Sequence, residues 1–285
     1  MRTVSLIIPC YNAEEQLEVC LQSILEQTYN DIQLVFVDDG SNSATKNVFS
    51  HFRSELERKF PEVILCEHIA NKGQAAAINS ALPLCVGKYI MWADADDVLL
   101  PDNVRKKAEY LDAHPEYNLV RANAVIKNLL NGKEAVELAL PEDKHADSIF
   151  IRLITGETYA NNGCYMVRAE ALKKHYPHLR IPFSRNFYNM QLLLPVAADT
   201  PCGYIDEVLT ECRIHGKNMS CSMKFLIRGL THIREREYIY REVLNHCEVD
   251  REENMKLIRD VMDELRKSYI HGDRYNYRVA GADKN

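Results

Sequence analysis

The chain has 285 residues, 46% hydrophobic and 27% charged, with a formal net charge of -6 and an isoelectric point near 6.0. Such a composition is ordinary for globular proteins and excludes disordered and fibrous classes. The acidic balance excludes a chain built to neutralise nucleic-acid phosphates, and no nucleic-acid partner is expected.

Along the first hundred residues, short apolar runs alternate with stretches of helical period, the pattern of β-α-β units and a mainly parallel sheet. Val4 to Ile8 reads as a buried strand stopped by Pro9. Glu14 to Gln27 follows as a helix with Leu17, Leu21, Ile24 and Leu25 on one face. Ile32 to Val37 is a β-branched strand ending in the turn sequence Asp38-Asp39-Gly40-Ser41, and a helix from Ala44 to Lys59 comes next. Val63 to Glu67 is a third strand, Gln74 to Cys85 a helix of small residues, and Lys88 to Ala93 a fourth strand running into Asp94. Each strand delivers polar residues at its carboxyl end, the edge where open α/β sheets bind ligands.

After Pro101 the pattern becomes α+β. Helices are expected over Asp102 to Ala113, Asp147 to Ile154 and Asn186 to Ala197, with strands over Asn118 to Lys127, Gly163 to Val167 and Tyr204 to Arg213. A polar loop runs through Pro141 and Glu142. Two amphipathic helices close the chain, one carrying Leu226, Leu230, Ile233, Tyr240 and Leu244, the other Met255, Ile258, Met262, Leu265 and Tyr269. The tail from Gly272 is polar. The nine cysteines are scattered, odd in number and without a C-x-x-C pair, which favours buried reduced thiols over a disulfide or zinc framework. The N-terminal apolar run is too short for a signal peptide, and no stretch approaches the ~18 apolar residues of a membrane span. A cytoplasmic protein is expected, with attachment to the inner face of a membrane left open.

Three segments carry chemistry. Asp94-Ala95-Asp96-Asp97 puts three carboxylates at a strand end, where their repulsion calls for a hard divalent cation such as Mn²⁺ or Mg²⁺; a helix-capping loop is the plainer alternative. Asp39 can accept hydrogen bonds from a base or ribose while Gly40 lets the backbone turn, although an Asx turn alone would use the same residues. Asn71-Lys72-Gly73 opens a helix and offers its N-terminus to an anion. Neither G-x-G-x-x-G nor G-x-x-x-x-G-K-[ST] occurs.

In order and spacing, Pro9-Cys10-Tyr11-Asn12, Val37-Asp38-Asp39-Gly40-Ser41, Asn71-Lys72-Gly73 and Asp94-Ala95-Asp96-Asp97 followed by Pro101-Asp102 resemble the family-2, GT-A-fold glycosyltransferases. The resemblance runs from Thr3 to Ser220. It implies an α/β GT-A domain over 1–220, with a nucleotide-binding half over 1–100 and an acceptor half over 101–220. A helical extension and polar tail occupy 221–285. It further implies metal-dependent transfer of a sugar from a nucleotide-diphospho-sugar donor to a glycan or lipid-linked acceptor, in bacterial surface-polysaccharide synthesis and with inversion at the anomeric carbon.

The same resemblance places Pro9, Tyr11, Asn12, Asn71 and Gly73 beside the nucleotide, Asp39 at the base, Asp94 near the ribose and Asp96 on the metal. His215, in Arg213 to Ser220, resembles a late histidine that completes the metal site, with Lys217 beside it to neutralise phosphate. The aspartate that serves the family as catalytic base is missing: the helix near Asn186 carries Tyr188, Asn189 and Gln191 instead. An amide can orient a hydroxyl but cannot take its proton, so Asn189 and Gln191 are expected to orient the acceptor, and Asp97 is the remaining base. Asn161-Asn162-Gly163-Cys164 is either an acceptor-facing turn or a simple one. The rival readings are a sugar-phosphate nucleotidyltransferase and a non-catalytic nucleotide-sugar or glycan binding module.

Overall fold

A computed structural model describes residues 4–137, 148–182, 184, 187–216, 218 and 225–270. The loop at Pro141 and Glu142, the side chain of Lys217 and the tail from Gly272 lie outside the described residues. Strands are β1 (Val4–Cys10), β2 (Ile32–Asp38), β3 (Glu62–Glu67), β4 (Tyr89–Trp92), β5 (Val98–Leu99), β6 (Leu119–Asn128), β7 (Glu134–Glu137), β8 (Tyr165–Arg168) and β9 (Cys202–Ile214). Helices are α1 (Leu17–Leu25), α2 (Ser43–Lys59), α3 (Gln74–Ala81), α4 (Asn103–Ala113), α5 (Phe150–Thr155), α6 (Ala169–His175), α7 (Tyr188–Asp199), α8 (Phe225–Leu244) and α9 (Arg251–Ile270).

One sheet holds the strands in the order β3-β2-β1-β4-β8-β6-β9-β5, with β7 also on β6. Its first four strands are all parallel, as the alternating apolar runs predict. The second half is mixed, because β8 joins β4 and β6 antiparallel while β9 joins β6 parallel. The chain moves outward from β1 to β3 and returns to β4 on the other side of β1, which opens a crevice at the carboxyl ends of β1 and β4.

Side-chain alternation splits β1 between two cores. Val4, Leu6, Ile8 and Cys10 pack with Leu17 and Leu21 of α1, Phe49 and Leu56 of α2, and Val104 and Leu111 of α4. Ile7 faces the opposite layer, which includes Ile78 of α3, Leu192 and Leu193 of α7, Tyr240 and Val243 of α8, and Ile258 and Met262 of α9. The two final helices therefore share a core with the sheet. Buried Arg236 of α8 bonds the Ile154 carbonyl at 3.2 Å and Tyr240 at 2.8 Å, closing the carboxyl end of α5 onto α8.

Pro9 does not stop β1. Pairing with β4 ends at Ile7, so Pro9 has only β2 beside it, and a missing N–H on that free edge breaks no ladder bond. Three elements were not expected from the sequence: β5, β7 and α6, each seven residues or shorter. No helix among the described residues is long and apolar enough to cross a membrane.

Candidate active site

Four strand ends and loops meet at the crevice. At the first, Asn12 takes φ +48°, which turns the chain after β1 toward the loop after β2. Its N–H donates to Ser41 Oγ at 3.1 Å, and its Oδ1 accepts from the Asn42 N–H at 2.8 Å. Pro9 is buried, while Tyr11 stands half exposed at the mouth.

The end of β2 is tied to the loop before α3. Asp39 is buried, and its two oxygens accept four hydrogen bonds: His68 Nδ1 at 2.6 Å, Lys72 N at 2.9 Å, Asn71 Nδ2 at 3.0 Å and Gly73 N at 2.8 Å. A carboxylate has about four lone-pair sites, so this one is filled from within. Gly40 allows the two loops to touch: at φ +77° a Cβ there would lie 2.5 Å from the Ala70 carbonyl carbon. Asp38, equally buried, accepts from the Ser41 N–H at 2.8 Å with Lys46 3.3 Å from its other oxygen.

At the end of β4, ligand atoms of Asp94, Asp96 and Asp97 lie within 4.8 Å of one another. Asn162 Nδ2 donates to one oxygen of Asp94 at 2.7 Å and the Tyr188 hydroxyl to the other at 3.1 Å. Asp96 faces His215 Nε2 and Asn218 Nδ2, each 3.0 Å from its Oδ2. Asp97 accepts the Arg213 N–H at 2.9 Å.

Electrostatics make this cluster expensive without a counter-charge. Burial, then the Asp96 charge, pushes the Asp94 carboxyl up to about 6. Burial, then Asp94 and Asp96, holds Asp97 well above the usual carboxylate range. Cys20 lies under the cluster, its thiol donating to the Asp94 carbonyl at 3.6 Å, and burial followed by Asp97 keeps that thiol protonated. The donor set is hard oxygen plus one imidazole, which suits Mn²⁺ or Mg²⁺. The 3.0 Å between Asp96 Oδ2 and His215 Nε2 is about the spacing of neighbouring ligand atoms around an ion bound at roughly 2.1 Å.

His215 reaches this place through the sheet. Short β5 follows Asp97 directly and pairs with β9, Val98 against Glu211 and Leu99 against Thr210. Register shifts between β6 and β9 near Asn123 bend the ladder and re-aim the end of β9.

Asn189 and Gln191 lie elsewhere on their helix. Asn189 Nδ2 holds the Ala160 carbonyl at 2.8 Å, and Gln191 is fully buried with Nε2 on Ser184 Oγ at 2.9 Å. The residue of that helix that touches the acidic cluster is Tyr188, buried and introduced by Phe187 at φ +57°. Tyr188, Asn162 and Asn218 were not expected to contact the aspartates. The Asn-Asn-Gly turn was the one local signal, and it does not specify what the turn faces.

Comparison with known proteins agrees with this architecture. The amylovoran biosynthesis glycosyltransferase AmsE of Erwinia amylovora is 28% identical over 240 residues, covering 83% of this chain and 84% of AmsE. Glycosyltransferase GlyA of Streptococcus pneumoniae is 37% identical over 111 residues, 38% of this chain. The chain spans only 15% of GlyA and at most 43% of two further bacterial relatives. The fold matches S. aureus TarS 1-349 solved with UDP-GlcNAc, at a TM-score of 0.66 and 16% identity over 93% of this chain and 73% of TarS 1-349. It also matches the mannosyltransferase PcManGT of Pyrobaculum calidifontis, solved with GDP-Man and Mn²⁺, at 0.57 and 15% over 95% and 71% of the two chains. A family profile described as Glycosyl transferase family 2 matches residues 5–209. With its parallel half-sheet and the Asp94 cluster at the switch crevice, the chain belongs to glycosyl transferase family 2.

Proposed function

We propose that the chain is a metal-dependent, inverting glycosyltransferase that moves a sugar from a nucleotide diphosphate to a hydroxyl of a glycan or lipid-linked saccharide. The observation that carries this reading is His215, 119 residues beyond Asp96 in sequence and 3.0 Å from it in space. A capping loop needs no imidazole, whereas a divalent-ion site uses one.

Asp96 and His215 are the proposed direct ligands of Mn²⁺ or Mg²⁺, with Asp94 shared between ion and ribose. The bound ion would supply Lewis-acid stabilisation of the departing diphosphate, worth several kcal/mol in general. Pro9, Tyr11, Asn12, Asn71 and Gly73 form the proposed nucleotide wall. Asp39 acts first by holding Asn71 and Gly73 in place; a direct bond to the base would require one of its four donors to give way. Asp97 is the proposed base, as the carboxylate beside the metal cluster when the helix at Tyr188 supplies none. A single displacement at the anomeric carbon gives inversion. Residues 1–220 are the proposed catalytic unit and 221–285 its extension, working in the cytoplasm or at the inner membrane face.

The test is release of nucleoside diphosphate from a panel of UDP- and GDP-sugars, with and without Mn²⁺. Turnover should require the ion and fall on the order of a hundredfold in Asp96→Ala and His215→Ala, while Asp97→Asn should lose transfer but keep nucleotide binding. Failure of every nucleotide sugar to bind or react in the presence of Mn²⁺ would sink the reading.

A further inference from the structure

We propose that Asn162 is a positioning residue that sets the rotamer of Asp94 for donor and metal binding; the inference rests on the function proposed above. Its amide bridges two residues of the β4 end. Oδ1 accepts from Trp92 Nε1 at 3.0 Å, and Nδ2 donates to Asp94 Oδ2 at 2.7 Å. The indole is donor-only and an ionised carboxylate acceptor-only, so the amide has one workable orientation.

The turn carrying Asn162 is itself clamped. The Gly163 N–H donates to the Trp92 carbonyl at 2.8 Å. The Gly163 carbonyl accepts three donors from two other elements: Lys107 Nζ at 2.6 Å, Thr210 Oγ1 at 2.9 Å and Asn103 Nδ2 at 3.3 Å. Asn103, Lys107 and Thr210 are all fully buried. At φ +77° a side chain at residue 163 would be strained, and its Cβ would press on Leu99 Cδ2 and Thr210 Cγ2, each 3.0 Å away. Three buried donors on one carbonyl are more than a surface turn requires, and they fix the residue that holds Asp94. Outer partners of this kind orient a ligating carboxylate, and their loss typically costs about 10–100-fold in metal affinity.

The chain contains one tryptophan, Trp92, and it makes this bond. Its fluorescence is therefore a private reporter of the site. Titrating the full chain with MnCl₂ alone should give saturable quenching by the paramagnetic ion. In Asn162→Ala the emission should shift as the indole loses its partner, and the midpoint should move to about 10–100-fold higher Mn²⁺ while the metal-free melting temperature falls by a few degrees, the cost of two lost hydrogen bonds. Thr210→Val, which loosens the clamp and leaves Asn162 in place, should shift the midpoint in the same direction by about threefold, and it decides the matter if Asn162→Ala does not fold. A wild-type midpoint retained in the folded variants overturns the proposal, provided Asp96→Ala loses the quenching. No saturable quenching in the wild type, with Asp96→Ala indistinguishable from it, overturns the metal reading and this proposal together.

Discussion

Asp39 and Asp94 stand on the same sheet edge, at the ends of β2 and β4, yet their surroundings differ in kind. Asp39 is surrounded by donors, four of them, three from the loop that opens α3 and one from His68. Asp94 has two donors and two acidic neighbours, and its carboxyl is pushed up to about 6. A buried charge whose lone pairs are filled by the protein is part of the scaffold. One crowded by like charges is relieved by a proton or a cation, so the β4 end is the place for the proposed ion, while the β2 end ties two loops together beside it.

The largest expected effect comes from breaking the scaffold. Asp39→Ala leaves four donors without their acceptor and should cost about 4 kcal/mol, a fall of about 10 °C in a thermal melt. Next comes the reverse experiment on the other carboxylate. Asp96→Ala should lower Mn²⁺-dependent transfer on the order of a hundredfold, about 2.7 kcal/mol in the barrier, while metal-free stability moves by less than about 1 kcal/mol. If both variants lost stability equally, the distinction between the two strand ends would fail.

A smaller effect probes the clamp behind Asp94. Burial lowers the Lys107 ammonium to about 7. Between that value and the lysine value of the unfolded chain, the unfolded state binds more protons, so stability rises with pH from about 7 and is lost as pH falls back through it. Buried thiols such as Cys10 and Cys85, held up to about 12, act in the opposite sense above about 9, which limits the window. Denaturant melts at pH 7 and 9 should differ by about 2 kcal/mol more in the wild type than in Lys107→Met. The smallest effect is expected at Gln191, whose Oε1 has no hydrogen-bond partner among the described residues. Gln191→Leu exchanges one hydrogen bond for apolar burial, so melting and transfer should both stay near wild type, within about 1 kcal/mol; a large loss of transfer at unchanged stability would instead give Gln191 a part in acceptor binding.

Much of the first hundred residues was legible residue by residue. Apolar runs of strand length place β1 to β4, helical period places α1 and α2, and the polar residues after each strand land on one edge because parallel strands all point the same way. The stretch after residue 100 was legible as elements and less so as pairings. β5 has two residues, too few to show a period, and its partner β9 lies over a hundred residues away. Gln191 fits a helix pattern, and nothing local says whether its amide faces an acceptor or the core.

The amino-acid sequence by itself determined which segments become strands and helices and which carboxylates end them, since those depend on side-chain pattern within a few residues. Only the tertiary structure decided that Asp39 is filled while the Asp94 cluster is not, that His215 meets Asp96, and that Asn162 and Tyr188 hold Asp94. Those facts depend on strand register and on a bent ladder between distant segments, where one residue of slip would turn each side chain to the other face.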